Sequence, residues 1–427
     1  MHVVLISQPR DPINAEGGQH GSVAIVTAAL AEQLGQRHQV TILAPAAPGQ
    51  PPTERGPGGS RIERLPAGSR QLNKAREILG TFLGGSVPFQ ATKAYFAGYF
   101  EAVGRRLQEV KPAVVHLHND FQQAPALAER LGAIPLVLHF HGEGPLRLPE
   151  KDVAEGLGAA AGIVTCSAWL SDRLAARFPS EAAKIATIGN GVDTERFTPA
   201  AEAPAGPPVL ANIGRISPDK GVHVLTEAFA RLAPEFPDLR LEISGPVGLL
   251  PAGTLAIMEP HPALQALEPF YGRGLVDQVR RQIVRAGKGY AEDIMAPIPA
   301  KLRDRVTLRG KIEHDRLPDL YRAATVFAMP SVILEPFGMP LVEAMACGLP
   351  VVTTESGGIP WILGSPPAGV MVERGDVDGL STALASLLRD PRRRLTLGAS
   401  ARARTVEMFT WAAVSTRLEQ VYARLAG

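Results

Sequence analysis

The sequence has very little cysteine: Cys166 and Cys347 are its only two thiols in 427 residues. Two cysteines cannot build a disulfide framework, and they show none of the paired spacings that bind zinc. Both lie at the ends of apolar segments, where a thiol packs as a small buried hydrophobic side chain. We therefore expect a chain without disulfides that works in the reducing cytoplasm.

A surplus of charge of one sign is also missing. Lys and Arg number 44 and Asp and Glu number 42, which leaves a formal net charge of +2. This balance gives no electrostatic reason to expect a nucleic acid partner.

Long apolar runs are absent as well. No segment approaches the roughly 20 apolar residues of a membrane-spanning helix. Met1–Ser7 is too short and too uncharged for a signal peptide and predicts a first strand instead. A hydrophobic content of 45% and a charged content of 20% are ordinary for a globular protein. The chain length predicts two or three domains, each with its own core.

Short apolar strands alternate with amphipathic helices through the first half of the chain. The predicted strands are Val3–Ser7, Val40–Ala44, Val114–Leu117, Leu136–His139, Ile163–Cys166 and Ile185–Ile188. The predicted helices are Ser22–Leu34, Ala94–Val110, Ala124–Leu131 and Ser167–Phe178. Such alternation is typical of a parallel sheet covered by helices on both faces.

The segment Pro199–Pro208 interrupts this pattern with the composition of a linker. The alternation then restarts, with strands at Val209–Ile213, Leu239–Ser244, Val306–Leu308, Val326–Met329 and Val351–Thr354. The helices of this half are Val222–Leu232, Leu317–Ala323, Pro340–Cys347, Val377–Leu388 and Pro391–Met408. We predict an α/β protein of two doubly wound, Rossmann-like domains, residues 1–200 and 207–408, that face each other across a ligand-binding cleft.

Two segments do not fit the alternation. Gly49–Ser60 is rich in proline and glycine and predicts a mobile loop. About sixty residues separate Gly245 from Val306, where a tight connection needs only a few. We interpret residues 246–305 as an insertion with a helix at Leu275–Gly287, which either shapes a donor pocket or forms a subunit contact.

The most informative stretch runs from Glu335 to Glu343. It follows a predicted buried strand, contains Gly338, and leads into a helix whose first turn holds Pro340. A glycine-bearing loop before a helix N-terminus predicts an anion site, because free N–H groups and the helix dipole point at the same place. The two carboxylates beside it are suited to accept hydrogen bonds from sugar hydroxyls.

Other interpretations of this carboxylate pair remain open. One alternative is that Glu343 is a solvated charge and Glu335 is an ordinary loop residue. The acid and base of a glycoside hydrolase is another, although nothing in the spacing forces the two groups to face each other across a bond.

Cations follow the first strand of the second domain. Gly214–Gly221 leaves that strand and enters a helix, which places Arg215 and Lys220 at the strand's carboxyl end. A diphosphate is matched by the planar fork of Arg and the movable point charge of Lys. The alternative is that both are solvated surface charges.

The first domain has two further candidate loops. Gly17–Gly21 follows the first strand, so Gly18 would let the backbone approach a phosphate or sugar, although the dinucleotide spacing is absent and a flexible turn is the alternative. His139 and His141 end another strand; we expect them to point to opposite faces and His141 to face the cleft. Asn119 and Asp120 are candidate partners of acceptor hydroxyls.

In combination, these motifs resemble those of the retaining glycosyltransferases of family four, the sucrose-synthase and mannosyltransferase class with the GT-B fold. The resemblance covers nearly the whole chain and includes Asn190–Asp193 before the linker. It extends to Phe409-Thr410-Trp411, which is similar to the start of the family's last helix. It therefore implies that residues 409–427 cross back to complete the first domain.

The resemblance implies a role for each matching residue. In the second domain, Arg215 and Lys220 would hold the diphosphate, Glu343 would hold the ribose, and Glu335 would contact the transferred sugar. The backbone N–H groups of Phe337, Gly338 and Met339 would line the sugar and phosphate, and the loop around Ile312 would hold the base. In the first domain, Gly18 would approach the diphosphate and His141 would form a hydrogen bond with the sugar. The long insertion and the Gln19–His20 pair depart from the family. They put donor and acceptor specificity in doubt, and Gln19 and His20 join the acceptor-binding candidates.

The expected function is retaining transfer of a hexose-type sugar from a nucleotide-sugar, with a UDP-sugar favoured over GDP- or ADP-sugars, to an unknown sugar, small-molecule or lipid acceptor. The resemblance implies that Arg215 and Lys220 replace a divalent metal, so no metal and no cofactor is expected. The leaving phosphate would take the acceptor proton.

Three alternatives stand beside this function. One is a non-hydrolysing sugar-nucleotide epimerase of the same fold, and another is a catalytically inactive sugar-nucleotide receptor. A third is membrane docking through Gln71–Gly84, for which an ordinary packing helix is the favoured interpretation.

Overall fold

The computed structural model describes residues 1–19, 21–69, 71–73, 75–76, 89–202, 204, 206–250, 258–271 and 288–426. The chain divides into two compact units. Unit one comprises Met1–Gly191 and Trp411–Gly427, and unit two comprises Val192–Thr410.

Unit one contains, within its described residues, a sheet of eight strands in the order β3-β4-β2-β1-β5-β6-β7-β8. The strands are β1 His2–Ile6, β2 Gln39–Pro45, β3 Thr53–Arg55, β4 Arg61–Leu65, β5 Val114–His118, β6 Leu136–Phe140, β7 Gly162–Thr165 and β8 Ile185–Thr187. All neighbouring pairs are parallel except β3 and β4. The predicted parallel sheet is confirmed, and its central strands are continuous apolar runs because helices cover both faces.

Helices pack against these strands in the described part of unit one. They are α1 Ser22–Leu34, α2 Ala97–Val110, α3 Ala124–Leu131, α4 Gly144–Arg147, α5 Glu150–Gly158, α6 Ala168–Arg177 and, from the end of the chain, α16 Trp411–Ala426. Helix α16 packs against α1, and its Glu419 accepts a hydrogen bond from His38.

The sheet edge of unit one departs from the prediction. The segment Gly49–Ser60, predicted as a mobile loop, contains β3, which pairs antiparallel with β4. The Arg64 guanidinium is buried and donates to the carbonyls of Pro51 and Ile13, both at 2.9 Å. These contacts fix the segment to the unit. Its proline and glycine content hid the strand because neither residue favours a strand interior.

Unit two has, in its described part, a parallel sheet of six strands in the order β11-β10-β9-β12-β13-β14. The strands are β9 Val209–Ile213, β10 Arg240–Ser244, β11 Val306–Gly310, β12 Val326–Met329, β13 Val351–Thr354 and β14 Val370–Val372. The chain builds β9 to β11 toward one edge and β12 to β14 toward the other. The strand order therefore reverses between β9 and β12, which is where doubly wound sheets bind ligands.

The helices of unit two surround this sheet. They are α7 Val222–Leu232, α8 Pro262–Gln265, α9 Glu268–Tyr271, α10 Lys288–Met295, α11 Leu317–Ala323, α12 Met339–Ala346, α13 Ile359–Leu363, α14 Val377–Arg389 and α15 Pro391–Met408. The described parts of the insertion join the core, because Leu267, Tyr271, Tyr290 and Ile294 are buried with the apolar face of α7.

Some predictions concern residues that the structure does not describe. The predicted helix Leu275–Gly287 lies outside the described residues, and so do Lys74 and Phe82 of the proposed docking stretch. Within the described residues, no helix combines the length and apolarity that crossing a membrane requires. Cys166 and Cys347 are both buried, as predicted, and do not form a disulfide with each other.

Candidate active site

The loops after β9 and β12 pack tightly together at the point where the strand order reverses. Gly221, with φ +69°, has no room for a side chain, because a Cβ there would lie 1.8 Å from the Pro330 carbonyl oxygen. The Asp219 carbonyl accepts hydrogen bonds from the N–H groups of Val332 at 2.9 Å and Ile333 at 3.3 Å. The two loops are therefore held together, and they carry Arg215, Lys220 and Glu335.

Lys220 and Glu335 form an ion pair at this position. The Lys220 Nζ lies 2.5 Å from Glu335 Oε1, and Ser331 donates to the same oxygen. Glu335 is buried, and its backbone N–H donates to Ser356 Oγ at 3.0 Å. The Lys220 side chain remains 28% exposed, so its ammonium can reach a ligand while the carboxylate stays fixed.

Arg215 is held by a buried carboxylate. Its Nη2 donates to Asp219 Oδ2 at 2.6 Å and its Nε to Ser217 Oγ at 3.1 Å. Asp219 is completely buried, and Tyr271 donates its hydroxyl to Asp219 Oδ1 at 3.1 Å. Burial and the Asp219 charge raise the pKa of Tyr271, which keeps the phenol a hydrogen-bond donor.

The helix after Glu335 begins at a glycine. Gly338 is the N-cap of α12, with φ +110°, and has no side chain that could cap the helix. Helix α12 includes Met339, one residue earlier than predicted, and Pro340 occupies its first turn. Phe337 is buried against Phe409, with 5.6 Å between ring centroids. This uncapped N-terminus is suited to an anion.

Glu343 lies one turn into α12 and is almost fully buried. Its Oε1 lies 2.8 Å from His314 Nε2, and its Oε2 accepts from the Tyr321 hydroxyl at 2.9 Å. A carboxylate accepts about four hydrogen bonds, so two contacts leave capacity for a ligand hydroxyl. His314 is two residues after Ile312, so the predicted base loop and the predicted ribose carboxylate lie together.

The glycine loop of unit one is open at its tip. Gly17 and Gly18 have positive φ values, and a Cβ on either would meet nothing within 4 Å. The Gln19 amide braces the loop, because it accepts from the Asn14 N–H at 3.0 Å and donates to the Asn14 carbonyl at 2.6 Å. His20 lies outside the described residues.

The expectation that His139 and His141 point to opposite faces is wrong. Their rings lie 4.1 Å apart between centroids, because residues two positions apart in an extended chain share a face. The His141 Nε2 lies 2.9 Å from His118 Nδ1, and its Nδ1 lies 3.1 Å from Asn190 Oδ1. Desolvation lowers the pKa of His141 to about 4. Both ring nitrogens therefore face protein groups, and a bond to sugar would require an exchange of one partner.

Asn119 and Asp120 occupy the turn after β5. Asn119 adopts a left-handed backbone with φ +60°, and its Oδ1 accepts from the His141 N–H at 2.8 Å. Asp120 is buried, and burial raises the pKa of its carboxyl to about 7. Asn119 thus positions His141, while Asp120 Oδ2 has no hydrogen-bond partner in the described part of the chain.

Sequence reasoning missed several residues of these sites. Asp219 and Tyr271 are 52 positions apart, and no local pattern links them. His314 carried a signal, because it lies two positions from Ile312. The histidines His116 and His118 also carried one, since a His-x-His pair ends β5 as another ends β6.

Two enzyme families match the sequence. Residues 298–404 match the family described as glycosyl transferases group 1, and residues 23–196 match glycosyltransferase family 4. The chain is 31% identical over 314 residues to the GDP-mannose-dependent alpha-(1-6)-phosphatidylinositol monomannoside mannosyltransferase of Mycolicibacterium smegmatis, which covers 69% of this chain and 72% of that protein.

Solved structures agree on the fold. Sucrose-phosphate synthase from Thermosynechococcus elongatus has a TM-score of 0.70 at 22% identity and covers 99% of this chain and 98% of that one. Anabaena Alr3699/HepE, solved in complex with UDP-glucose, has a TM-score of 0.64 at 18% identity and covers 99% of this chain and 100% of that one.

The two doubly wound units and these likenesses define the class: a glycosyltransferase with the GT-B fold. More particularly, the chain belongs to glycosyltransferase family 4. The family supports glycosyl transfer from a sugar-nucleotide donor.

Proposed function

We propose that the enzyme transfers a hexose from a nucleoside diphosphate sugar to an acceptor hydroxyl with retention of anomeric configuration. The observation that carries this proposal is the pair of braced cations in unit two. Arg215 is fixed by Asp219 and Lys220 by Glu335, on loops that meet where the strand order reverses. Beside them, α12 presents an uncapped N-terminus.

Cleavage of the donor breaks the bond between the anomeric carbon and a phosphate oxygen, and the electron pair leaves with the diphosphate. Cations that are already in place stabilise this charge without reorganising, which is the strongest common form of catalytic stabilisation. Arg215 offers a planar fork, and Lys220, partly exposed beside Glu335, offers a point charge to a phosphate. We assign these two side chains the role that a divalent ion has in other transferases.

Glu335 orients the sugar in this proposal rather than acting as a base. Its carboxylate is buried and already accepts hydrogen bonds from Lys220 and Ser331, and its remaining acceptor capacity is available to sugar hydroxyls. The acceptor hydroxyl attacks the face that the diphosphate leaves, and its proton passes to the leaving phosphate oxygen. Charge and proton then end on the same nucleoside diphosphate.

The nucleoside is assigned to the side of α12 that carries Glu343. Glu343 accepts from a ribose hydroxyl, with His314 and Tyr321 holding its carboxylate, and the loop around Ile312 contacts the base. Uracil is the base we propose, so that the donor is a UDP-sugar; support comes from the fold neighbour that was solved with UDP-glucose. GDP is the second candidate, because the mannosyltransferase relative is GDP-mannose-dependent.

A ligand screen followed by product analysis tests the proposal. UDP, GDP and ADP are each added to the full chain, and the nucleotide that binds the folded state most tightly is expected to raise the melting temperature most. The matching sugar nucleotide is then incubated with a panel of sugar, inositol and lipid acceptors, and proton NMR identifies the anomer formed. An inverted product would overturn retention. A new epimer without any acceptor would overturn transfer.

A further inference from the structure

Four histidines share one face of the sheet in unit one. His118 on β5 is the register partner of His139 on β6. His116 lies two positions before His118, and His141 lies two positions after His139. Because positions two apart share a face, the topology brings all four rings together. His116, His118 and His139 are completely or almost completely buried.

Two nitrogens of this cluster, His118 Nε2 and His139 Nε2, are buried and have no hydrogen-bond partner among the described residues. An unsatisfied buried polar atom costs about 1–3 kcal/mol. Two such atoms within one cluster call for a group that accepts their lone pairs or their protons.

The cluster also converges as metal ligands do. One ring nitrogen from each of His116, His118 and His139 lies within 4.8 Å of the others. The His116 and His139 rings also contact each other directly, through Nε2 and Nδ1 at 3.1 Å. Tetrahedral zinc with Zn–N bonds of about 2.0–2.1 Å separates its ligand nitrogens by roughly 3.4 Å. Small rotations of the three side chains would therefore bring their nitrogens to the separation that zinc requires.

Outer contacts orient two of these rings. His116 Nδ1 lies 2.6 Å from the Tyr422 hydroxyl of α16, and His118 Nδ1 lies 2.9 Å from His141 Nε2. Both contacts use the Nδ1 atom, so a metal would be bound through Nε2, which in His116 now lies 3.1 Å from His139 Nδ1. Histidines that bind metals usually make this kind of second contact through their other nitrogen.

We propose that His116, His118 and His139 bind one divalent transition-metal ion, with zinc as the best match to three imidazole ligands. The ion would join β5 to β6 and, through Tyr422, brace α16. It has no step in the proposed sugar transfer and lies entirely within unit one. Because the ligands are buried, we expect the ion to enter as the chain folds.

Metal content of the purified full chain tests this site. The chain is produced without a polyhistidine tag in zinc-supplemented medium and passed into metal-free buffer. Mass spectrometry is expected to find about one zinc ion per chain. His116→Gln and His139→Gln are each expected to lose it. His38→Gln is the matched control, because His38 also contacts α16, through Glu419, but lies outside the cluster.

X-ray absorption at the zinc edge decides the matter even where a variant does not fold. The expected spectrum of the unaltered chain fits three imidazole nitrogens at about 2.0–2.1 Å. Cobalt supplied in place of zinc should give the intense visible absorption of a tetrahedral site. A chain that retains no metal, or whose metal has mainly oxygen ligands and survives in His116→Gln, would overturn the site and leave a metal-free network of hydrogen-bonded rings.

Discussion

The hydroxyl of Tyr271 donates to Asp219 Oδ1 at 3.1 Å, while the other oxygen of that carboxylate accepts from Arg215 at 2.6 Å. Tyr271 belongs to the insertion whose role the sequence left open between a donor pocket and a subunit contact. Its place opposite Arg215 gives part of this insertion a function inside unit two, because it holds the carboxylate that aims the guanidinium.

Tyr271→Phe removes that hydroxyl and little else. A hydrogen bond to a charged group contributes about 1.5–3 kcal/mol, so we expect kcat/KM for sugar transfer to fall at least tenfold. Calorimetry with the nucleoside diphosphate should show weaker binding at a temperature where the variant is fully folded. Tyr290→Phe is the control, because that hydroxyl contacts His223 instead. Equal losses in both variants would assign Tyr271 to general stability.

The sequence predicted regular elements well where their pattern is local. Helix α1, strand β9 and helix α11 begin and end where periodicity places them. Strand β4 was missed because three of the five residues from Arg61 to Leu65 are charged, although Glu63 and Arg64 are buried. The strand-end cations and carboxylates were found for the same local reason, while Asp219–Tyr271 and the histidine cluster depend on contacts between distant positions.

Lys220→Ala and Arg215→Ala test the leaving-group assignment. Each removes a charge that is already in place for the diphosphate, so kcat should fall by hundreds-fold, on the order of 3–4 kcal/mol. Lys301→Ala, at an exposed position of the same unit, should keep normal kinetics. Rates are measured with the sugar nucleotide identified by the ligand screen. Near-normal transfer by either variant would contradict the phosphate site.

Glu343→Ala tests the ribose contact. The unaltered enzyme should bind the ribonucleoside diphosphate more tightly than the analogue lacking the bonded ribose hydroxyl, and the variant should lose this preference. We expect the dissociation constant of the variant for the ribonucleotide to be about tenfold higher, because a charge-assisted hydrogen bond is lost. Calorimetry with the nucleotide and its 2′- and 3′-deoxy analogues measures both effects. Glu313→Ala, exposed on the loop near Ile312, is the control, and unchanged discrimination in Glu343→Ala would remove the ribose role.

Gly221→Ala tests the contact between the two site loops. Its Cβ would lie 1.8 Å from the Pro330 carbonyl oxygen, whereas Gly310, with φ +68° against +69°, would meet nothing within 4 Å. Gly310→Ala therefore reports the backbone strain alone. We expect Gly221→Ala to lower the free energy of unfolding by about 2 kcal/mol more than Gly310→Ala, measured by urea denaturation. Equal losses would mean that the loops separate easily and do not form a single platform.

Asp120→Asn tests whether ionisation of a buried carboxyl lowers the free energy of unfolding as pH rises. Burial raises the pKa of Asp120 from 3.8 to about 7, with Arg10 lowering it and Asp11 raising it. The folded chain then holds a proton that the unfolded chain releases, so stability falls as pH rises from about 4 through 7. At about 1.4 kcal/mol per pKa unit, the variant should gain up to about 4 kcal/mol over the unaltered chain at pH 8 and little at pH 4. Urea denaturation across this range measures the difference. Asp152→Asn, at an exposed position of α5, is the control, and a matching pH-dependent gain there would show that burial of Asp120 is not the cause.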